Sequence, residues 1–300
     1  MASDAPRASV PSANGRSAGA SLAAQPGARA GSSAGPVGSG PVGSGQAGAD
    51  PDPIAGQRVF VSWSGGKDAY LALQRAVRRG AVPAVLVCML HEDGRVSRGH
   101  GLPLALLEEQ AAALGVPLVT RPTTWEEYEA TFVSLLHELR AQGVQAGVFG
   151  DIDLQAHRDW VENVCELCGM GSHLPLWLEP RRVLLAEFLG GGGRATIVAV
   201  DSSKLPGEFL GLELDDDVIA RIEAAGADAC GEEGEYHTMV TEAPLFSRAV
   251  ALAWDGAEER DGHHVLRFGL ARFHPTTEPE APAAGSNDLA DIVRSRSVNP

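Results

Sequence analysis

The stretch at residues 58–80 constrains the fold of this chain more than any other. It begins with an apolar run at residues 59–63, whose continuous hydrophobicity predicts a buried strand. The run breaks into a glycine-containing turn at residues 64–68, and an amphipathic helix follows. A strand, a glycine turn and a helix in this order point free backbone N–H groups at an anion. The stretch therefore predicts an α/β fold with an anion site after its first strand.

Each residue type in this turn suits a phosphate group. Gly65 and Gly66 let the backbone approach phosphate because no Cβ lies in the way. Ser64 adds a hydroxyl donor and Lys67 adds a positive charge. Asp68 opens the helix, where its carboxylate could hold a phosphate-bound Mg²⁺ ion. The alternative is an ordinary tight turn, and the flanking Ser and Lys-Asp residues favour the phosphate site over it.

Composition excludes several classes of protein. The formal net charge of −15 over 300 residues argues against a general nucleic-acid binder. No apolar run is long enough to span a membrane, and four scattered cysteines do not form a disulfide scaffold, so we expect a cytoplasmic protein. Cys165 and Cys168 lie in a predicted helix, which favours buried thiols over a metal site. Residues 1–52 and 275–300 are predicted to be disordered tails because they lack core-forming patterns.

Helices and strands alternate between the two tails. Strands are predicted at residues 84–90, 116–120, 146–150 and 195–200. Helices are predicted at residues 104–114, from a capping box at 124–127 to residue 141, and at 154–167, 184–189 and 215–225. This alternation predicts a parallel sheet with helices on both faces. Three antiparallel strands are predicted after Cys230, at residues 236–241, 248–254 and 264–273.

Polar segments follow the predicted strands, which is where open parallel sheets bind ligands. There are five such segments: residues 64–68, His91 with 97–101, 149–153, 200–204 and 230–238. Five polar segments at strand ends suggest one site. We expect His100, Gly150 and Asp151 to contribute to nucleotide binding, and Asp151 to join Asp68 as a magnesium ligand.

Several motifs together resemble a known family. SGGKD is similar to the pyrophosphate loop of the ATP pyrophosphatases, although Ala69 replaces the usual final Ser. Together with the motifs RGHG, FGDIDLQAHRDWVE, VDSSKL and CGEEGEYHTMVTEAPLF, it resembles the diphthine–ammonia ligase family over residues 59–246. The GEEGEYHT-to-PLF stretch is the most specific part. His237 replaces a Glu that is typical of eukaryotic and archaeal members, and this variant resembles bacterial relatives.

The resemblance implies a fold and a set of ligands. It implies a Rossmann-like adenine nucleotide α-hydrolase domain, which we place at residues 53–172, and a smaller α+β substrate lobe at residues 173–274. It also implies ATP and magnesium, with ATP cleaved to AMP and pyrophosphate. A homo-oligomer is compatible with the sequence.

The resemblance further implies an amide-forming reaction. ATP would activate a carboxylate, on a small molecule or a protein, and ammonia would attack the resulting acyl-adenylate. Lys67 would meet the charge of the departing pyrophosphate. Glu232, Glu235 and His237 would bind ammonium or take its proton. A solvated acidic loop is the alternative for the two glutamates, and a hydrogen bond to a backbone carbonyl is the alternative for His237.

Two other functions stay open at this point. The chain could bind an adenine nucleotide without catalysis, or it could modify tRNA as other enzymes with this loop do. The acidic net charge disfavours tRNA, and the Lys67–Asp68 pair favours an enzyme over a sensor. None of the four cysteines lies on the sharp turn of a glutaminase nucleophile, and none follows Met1, so we expect free ammonia as the nitrogen donor.

Overall fold

The computed structural model describes residues 53–260 and 262–268, and both predicted tails lie outside the described residues. The strands are β1 (Arg58–Ser62), β2 (Val82–Leu90), β3 (Leu118–Pro122), β4 (Ala146–Val148), β5 (Gly171–His173), β6 (Arg194–Asp201), β7 (Tyr236–Glu242), β8 (Gly256–Arg260) and β9 (His263–Arg267). The α-helices are α1 (Lys67–Arg78), α2 (Leu104–Leu114), α3 (Tyr128–Ala141), α4 (Gln155–Leu167), α5 (Arg181–Gly190) and α6 (Asp216–Ala224), with a 3₁₀ turn at Gly207–Phe209. No helix in the described ranges is long and apolar enough to cross a membrane.

The first five strands form a parallel sheet in the order β3-β2-β1-β4-β5. Alternate residues of β1 enter two hydrophobic clusters because successive side chains of a strand face opposite ways. Val59 and Val61 pack in the cluster of α1 and α2, and Phe60 packs in the cluster of α3 and α4. This arrangement confirms the predicted α/β class with helices on both faces. Helix α2 ends at Gly115 as predicted, with a left-handed φ of 70° that favours glycine.

The last four strands form a second, antiparallel sheet in the order β7-β6-β9-β8. The prediction that the strand at 195–200 continues the parallel sheet is therefore wrong. Strand β6 pairs antiparallel with β7 and β9 instead. Its continuous apolar run is typical of a parallel strand, and here six of its eight residues are buried although its neighbours are antiparallel. The smaller C-terminal α+β lobe is confirmed.

The structure also differs from the sequence prediction in other elements. Residues 248–254, predicted as a strand, form none, and the segment that follows them forms β8. The end of the strand predicted at 264–273 lies outside the described residues. Strand β5 was not predicted, because three residues at a sheet edge carry no periodicity. The capping-box threonine, Thr124, accepts the Glu127 N–H at 3.1 Å in a turn that precedes α3, so the helix begins later than predicted.

The four cysteines are free thiols and are buried. Cys165 lies in the last turn of α4, and Cys168 is the residue that ends this helix. Burial raises the pKa of Cys165 to about 12, so its thiol is neutral and unreactive at physiological pH. The burial of both confirms their predicted place in the core.

Candidate functional site

The turn between β1 and α1, which we call the phosphate loop (residues 64–68), is packed tightly. Gly65 has a φ of 82°, a conformation that favours glycine. A Cβ at Gly65 would lie 2.8 Å from Gln110 Oε1, and one at Gly66 would lie 2.6 Å from the His100 ring. The glycines therefore leave room for neighbouring protein side chains in addition to any phosphate. The Ser64 hydroxyl accepts the Gly66 N–H at 3.3 Å, inside the loop.

Lys67 joins the phosphate loop to the loop that precedes β7. Only 4% of the surface of Lys67 is exposed to solvent. The ammonium donates to Asp68 Oδ2 at 2.8 Å and to the Cys230 carbonyl at 2.5 Å, and it lies 5.5 Å from the centre of the Tyr236 ring. Burial opposes the charge, but Asp68 and the other surrounding groups hold the Lys67 pKa well above its usual range. Lys67 is therefore a buried, charged group at the carboxyl end of β1.

The loop at residues 228–235, which we call the acidic loop, is held by its own side chains. The buried Glu235 carboxylate accepts the backbone N–H groups of Asp228 at 3.2 Å and Glu233 at 3.1 Å. The Tyr236 hydroxyl donates to the Ala229 carbonyl at 2.6 Å. Glu235, which was predicted to be catalytic, is thus engaged in fixing the shape of this loop.

Glu232 is the carboxylate of the acidic loop that faces the phosphate loop. Burial and the nearby carboxylates of Asp68 and Asp151 raise the pKa of Glu232 to about 8. The positive charges of Lys67 and Arg181 oppose this shift and only partly offset it. The structure therefore brings the predicted residues Lys67, Asp68, Asp151 and Glu232 within electrostatic reach of one another.

Asp151 and Gly150 follow β4 and lie against the start of α1. A Cβ at Gly150 would lie 2.9 Å from both the Ala69 nitrogen and the Asp68 carbonyl carbon. Asp151 Oδ1 lies 3.2 Å from His157 Nδ1. The His157 Nε2 atom is buried with no hydrogen-bond partner among the described residues. Gly150 therefore permits the close approach that brings Asp151 to the phosphate loop.

The carboxylates present suit magnesium only in company with a nucleotide. The described residues contain no group of three or more His, Cys, Asp or Glu side chains that could hold a metal ion. Mg²⁺ is commonly bound through one or two carboxylates together with phosphate oxygens and water. Asp68 and Asp151 could serve in that way, because Gly150, the residue before Asp151, closely approaches the backbone of Asp68.

Three histidine rings stack beside the phosphate loop. The rings of His100 and His237 are 4.4 Å apart and inclined by 21°, and those of His237 and His263 are 6.0 Å apart. Burial and the Lys67 charge lower the pKa of His100 to about 4. Burial and the His100 ring lower the pKa of His237 well below its usual value. Both rings are therefore neutral at physiological pH.

The free energy of unfolding is expected to fall as the pH drops from 6.5 to 4. A histidine in the unfolded chain titrates near 6.5, so in this window the unfolded state binds more protons than the folded state does. The pKa of His100, at about 4, corresponds to roughly 3 kcal/mol of stability that is present above the window and lost across it. Denaturant unfolding at several pH values measures this loss.

Two variants separate the contribution of the stack from general acid denaturation. His100→Asn should flatten the pH dependence between 6.5 and 4, whereas His137→Asn, at an exposed position of α3, should leave it unchanged. Parallel curves for the wild type and His100→Asn would show that His100 does not titrate abnormally.

Gln110 was not predicted as a residue of this site, and Thr238 was predicted only as part of the polar segment 230–238. Gln110 donates to the carbonyls of Gly65 at 3.0 Å and Val240 at 2.8 Å, and it accepts the Trp63 indole N–H at 3.0 Å. A lone Gln on the apolar face of α2 was the available signal. Thr238 accepts the Lys67 backbone N–H at 3.2 Å, and nothing in the sequence indicated that contact.

The two loops after β6 and before β7 meet although they do not follow parallel strands. Because β6 and β7 are antiparallel, the end of one lies beside the start of the other, and the Asp201 N–H donates to the Glu235 carbonyl at 2.9 Å. The Lys204 ammonium contacts the Glu233 carbonyl. The predicted polar segments at 200–204 and 230–238 are thus adjacent, for a reason different from the predicted one.

Two protein-family models match the chain. One is the diphthamide synthase N-terminal domain, over residues 57–172, and the other is the diphthamide synthase C-terminal domain, over residues 181–267. Together they cover about two thirds of the chain. The phosphate loop lies in the first match and the acidic loop in the second, so the contact through Lys67 joins the two matched regions.

Several curated proteins are similar to the chain. The diphthine–ammonia ligase of Danio rerio is 29% identical over 164 residues, which is 52% of this chain and 63% of that protein. That of Schizosaccharomyces pombe is 28% identical over 211 residues, covering 63% of this chain and 35% of that protein. That of Homo sapiens is 26% identical over 222 residues, covering 64% of this chain and 82% of that protein. The chain thus spans less than two thirds of the first two relatives.

Proposed function

The chain belongs to the diphthamide synthase family, and from this premise we propose that it is an ATP-dependent ligase that joins ammonia to a carboxylate. The observation that carries the proposal is the contact of Lys67 with both the phosphate loop and the acidic loop. A buried cation at a strand–glycine–helix turn suits the phosphates of ATP. A carboxylate with a raised pKa on the facing loop suits proton transfer.

The first step of the proposed reaction is activation of the acceptor. A carboxylate oxygen attacks the α-phosphorus of ATP, the bond to pyrophosphate breaks, and an acyl-adenylate remains. Lys67, whose charge is already in place before the reaction, stabilises the negative charge that develops on pyrophosphate. Asp68 and Asp151 would hold a magnesium ion, which neutralises phosphate charge when bound.

The second step is attack by ammonia on the activated carbonyl, with release of AMP. Ammonium must lose a proton before its nitrogen can attack. A pKa of about 8 makes the ionised form of Glu232 a stronger base than an ordinary carboxylate, and it is this ionised form that binds ammonium and accepts its proton. The ionised fraction grows as the pH rises toward 8. His237 is neutral, so its ring can accept a hydrogen bond without repelling ammonium. Glu235 supports this step by holding the acidic loop.

The acceptor is proposed at the level of its chemistry. The relatives are named for diphthine, and for this chain we propose a carboxylate carried by a small molecule or by a protein, with diphthine as one candidate. We propose that the reaction takes place in the cytoplasm. The net charge of −15 disfavours a tRNA acceptor.

ATP is expected to be split between its α and β phosphates in the presence of the acceptor. The reason is that the phosphate loop carries Lys67 and Asp68 at the start of α1, where pyrophosphate would leave. The purified chain is incubated with Mg-ATP, ¹⁵N-ammonium chloride and a small-molecule or protein extract. Phosphorus NMR should show AMP and pyrophosphate, and mass spectrometry should show a new ¹⁵N-amide.

Two parallel reactions make this result specific. Glutamine in place of ammonium should support little amide formation, because none of the four buried cysteines offers a glutaminase nucleophile. Formation of ADP and phosphate would contradict the adenylation mechanism. AMP release that depends on added tRNA would instead identify the chain as a tRNA-modifying enzyme.

A further inference from the structure

Arg181 joins two loops of the candidate site that lie far apart in the chain. It is the first residue of α5, and its Nε and Nη2 donate to the two carboxylate oxygens of Asp153, each at 2.9 Å. Its Nη1 lies 3.0 Å from Asp228 Oδ2 in the acidic loop. A guanidinium is a rigid fork of donors, so one side chain holds both carboxylates at a fixed angle.

The connection continues from Asp228 to Glu232. The same Asp228 oxygen that contacts Arg181 accepts the Glu232 backbone N–H at 2.9 Å. The orientation of Asp228 therefore sets the position of the Glu232 backbone. Asp153 lies just beyond Asp151 in the segment after β4, so Arg181 ties Glu232 to the side of the site that would hold the nucleotide.

The backbone around Arg181 is itself fixed to both loops. The Leu178 N–H donates to the Ile152 carbonyl at 2.7 Å, and the Cys230 thiol donates to the Arg181 carbonyl at 3.4 Å. Leu178 has a φ of 58°, a conformation that is uncommon for leucine and persists where the surroundings enforce it. The side chains of Arg181 and Asp228 are 26% and 16% exposed, so their contact differs from a surface ion pair.

We propose that Arg181 is a positioning residue that holds Glu232 against the phosphate loop for the ammonia step, an inference that rests on the proposed function. Arg181 touches neither ATP nor ammonia in this role, and it acts through Asp228. The hydrogen bonds to Asp153 fix the orientation of the Arg181 guanidinium. The contact of the same guanidinium with Asp228 then fixes the position of the acidic loop.

The test compares Arg181→Gln, Arg181→Lys and Asp228→Asn with a matched control in the full chain. The control is Arg182→Gln, because Arg182 follows Arg181 in α5 and forms an exposed ion pair with Glu223 at 2.7 Å. Hydrogen exchange measures the protection of the Glu232 and Glu233 amides with Mg-ATP as the probe. Steady-state kinetics with the acceptor-containing extract measure the KM values for ammonium and for ATP.

Arg181→Gln should deprotect the Glu232 amide and raise the KM for ammonium by roughly ten- to a hundredfold, with the KM for ATP within about twofold. Asp228→Asn should do the same, and the double variant should be no worse than either single one, because both act through one contact. Arg181→Lys should recover part of the loss, and Arg182→Gln should match the wild type.

Two results would overturn the inference while leaving the proposed function intact. One is unchanged hydrogen-exchange protection of the Glu232 amide in Arg181→Gln. The other is a loss of stability together with an equal rise in the KM values for ammonium and for ATP, which is the pattern of a purely structural residue. Failure of the wild type to form AMP would instead overturn the proposed function. The amide measurements require only Mg-ATP, so they decide whether Arg181 positions Glu232 in either case.

Discussion

Lys67→Ala is expected to lower the rate of AMP formation by roughly 100- to 1000-fold, which is the range for removing one pre-positioned group that stabilises developing charge. The Lys67 side chain is buried and charged, and its ammonium lies at the start of α1 between Asp68 and the Cys230 carbonyl. Without the ammonium, no positive charge of this loop meets pyrophosphate, and the acidic loop loses its contact with the phosphate loop. AMP release measures the first effect, and calorimetry with Mg-ATP measures binding.

Two further variants show whether the loss is specific to this ammonium. Lys67→Met keeps the length of the side chain, so it should preserve packing and still be inactive. Arg78→Ala removes a positive charge from the other end of the same helix, where an exposed pair with Glu187 is formed at 3.2 Å, and it should retain activity. Near-normal AMP release by Lys67→Met would show that the turn does not act on phosphate.

Gly150→Ala is expected to lower the stability of the fold markedly. The added Cβ would lie 2.9 Å from two backbone atoms at the start of α1, and backbone cannot move aside as a flexible side chain can. Overpacking of this kind costs about 1–3 kcal/mol, which lowers the melting temperature by roughly 3–10 °C in a domain of this size. The start of α1 should shift, so Mg-ATP binding should weaken as well.

Gly190→Ala is the matched control for this variant. Gly190 is the last residue of α5, and a Cβ there would meet nothing within 4 Å. An added methyl at such a position should change the free energy of unfolding by less than about 0.5 kcal/mol. Equal melting temperatures for the two variants would show that the close approach of Gly150 to α1 does not affect the free energy of unfolding.

The structural elements that are determined by residues close together in the sequence could be predicted from the sequence. The strand, glycine turn and helix at residues 58–80 are local, and so is the end of α2 at Gly115. Strand β6 shows the limit of such patterns. Its apolar run indicates burial on both faces, and burial does not distinguish a parallel neighbour from an antiparallel one.

Part of the candidate site could be proposed from sequence motifs, but its contacts could not. Lys67, Asp68 and Glu232 were identified from motifs, whereas the second partner of the Lys67 ammonium, besides Asp68, is a carbonyl 163 positions away in the chain. Arg181 was missed because an arginine at the start of a helix is common. Only its ion pairs with Asp153 and Asp228 in the folded chain indicate a role in the site. Such contacts depend on how the two sheets meet, which no local pattern records.

Strand β7 pairs within the second sheet, yet it completes the phosphate loop of the first. Its Val240 N–H donates to the Gly65 carbonyl at 2.9 Å, and its Thr238 hydroxyl accepts the Lys67 backbone N–H. A gene fragment that stopped at residue 180 would therefore encode the phosphate loop without the two hydrogen bonds that β7 makes to it. Recombination between related genes at that border would separate this loop from the strand that supports it, so we expect the two parts to be inherited together and to exchange poorly as independent modules.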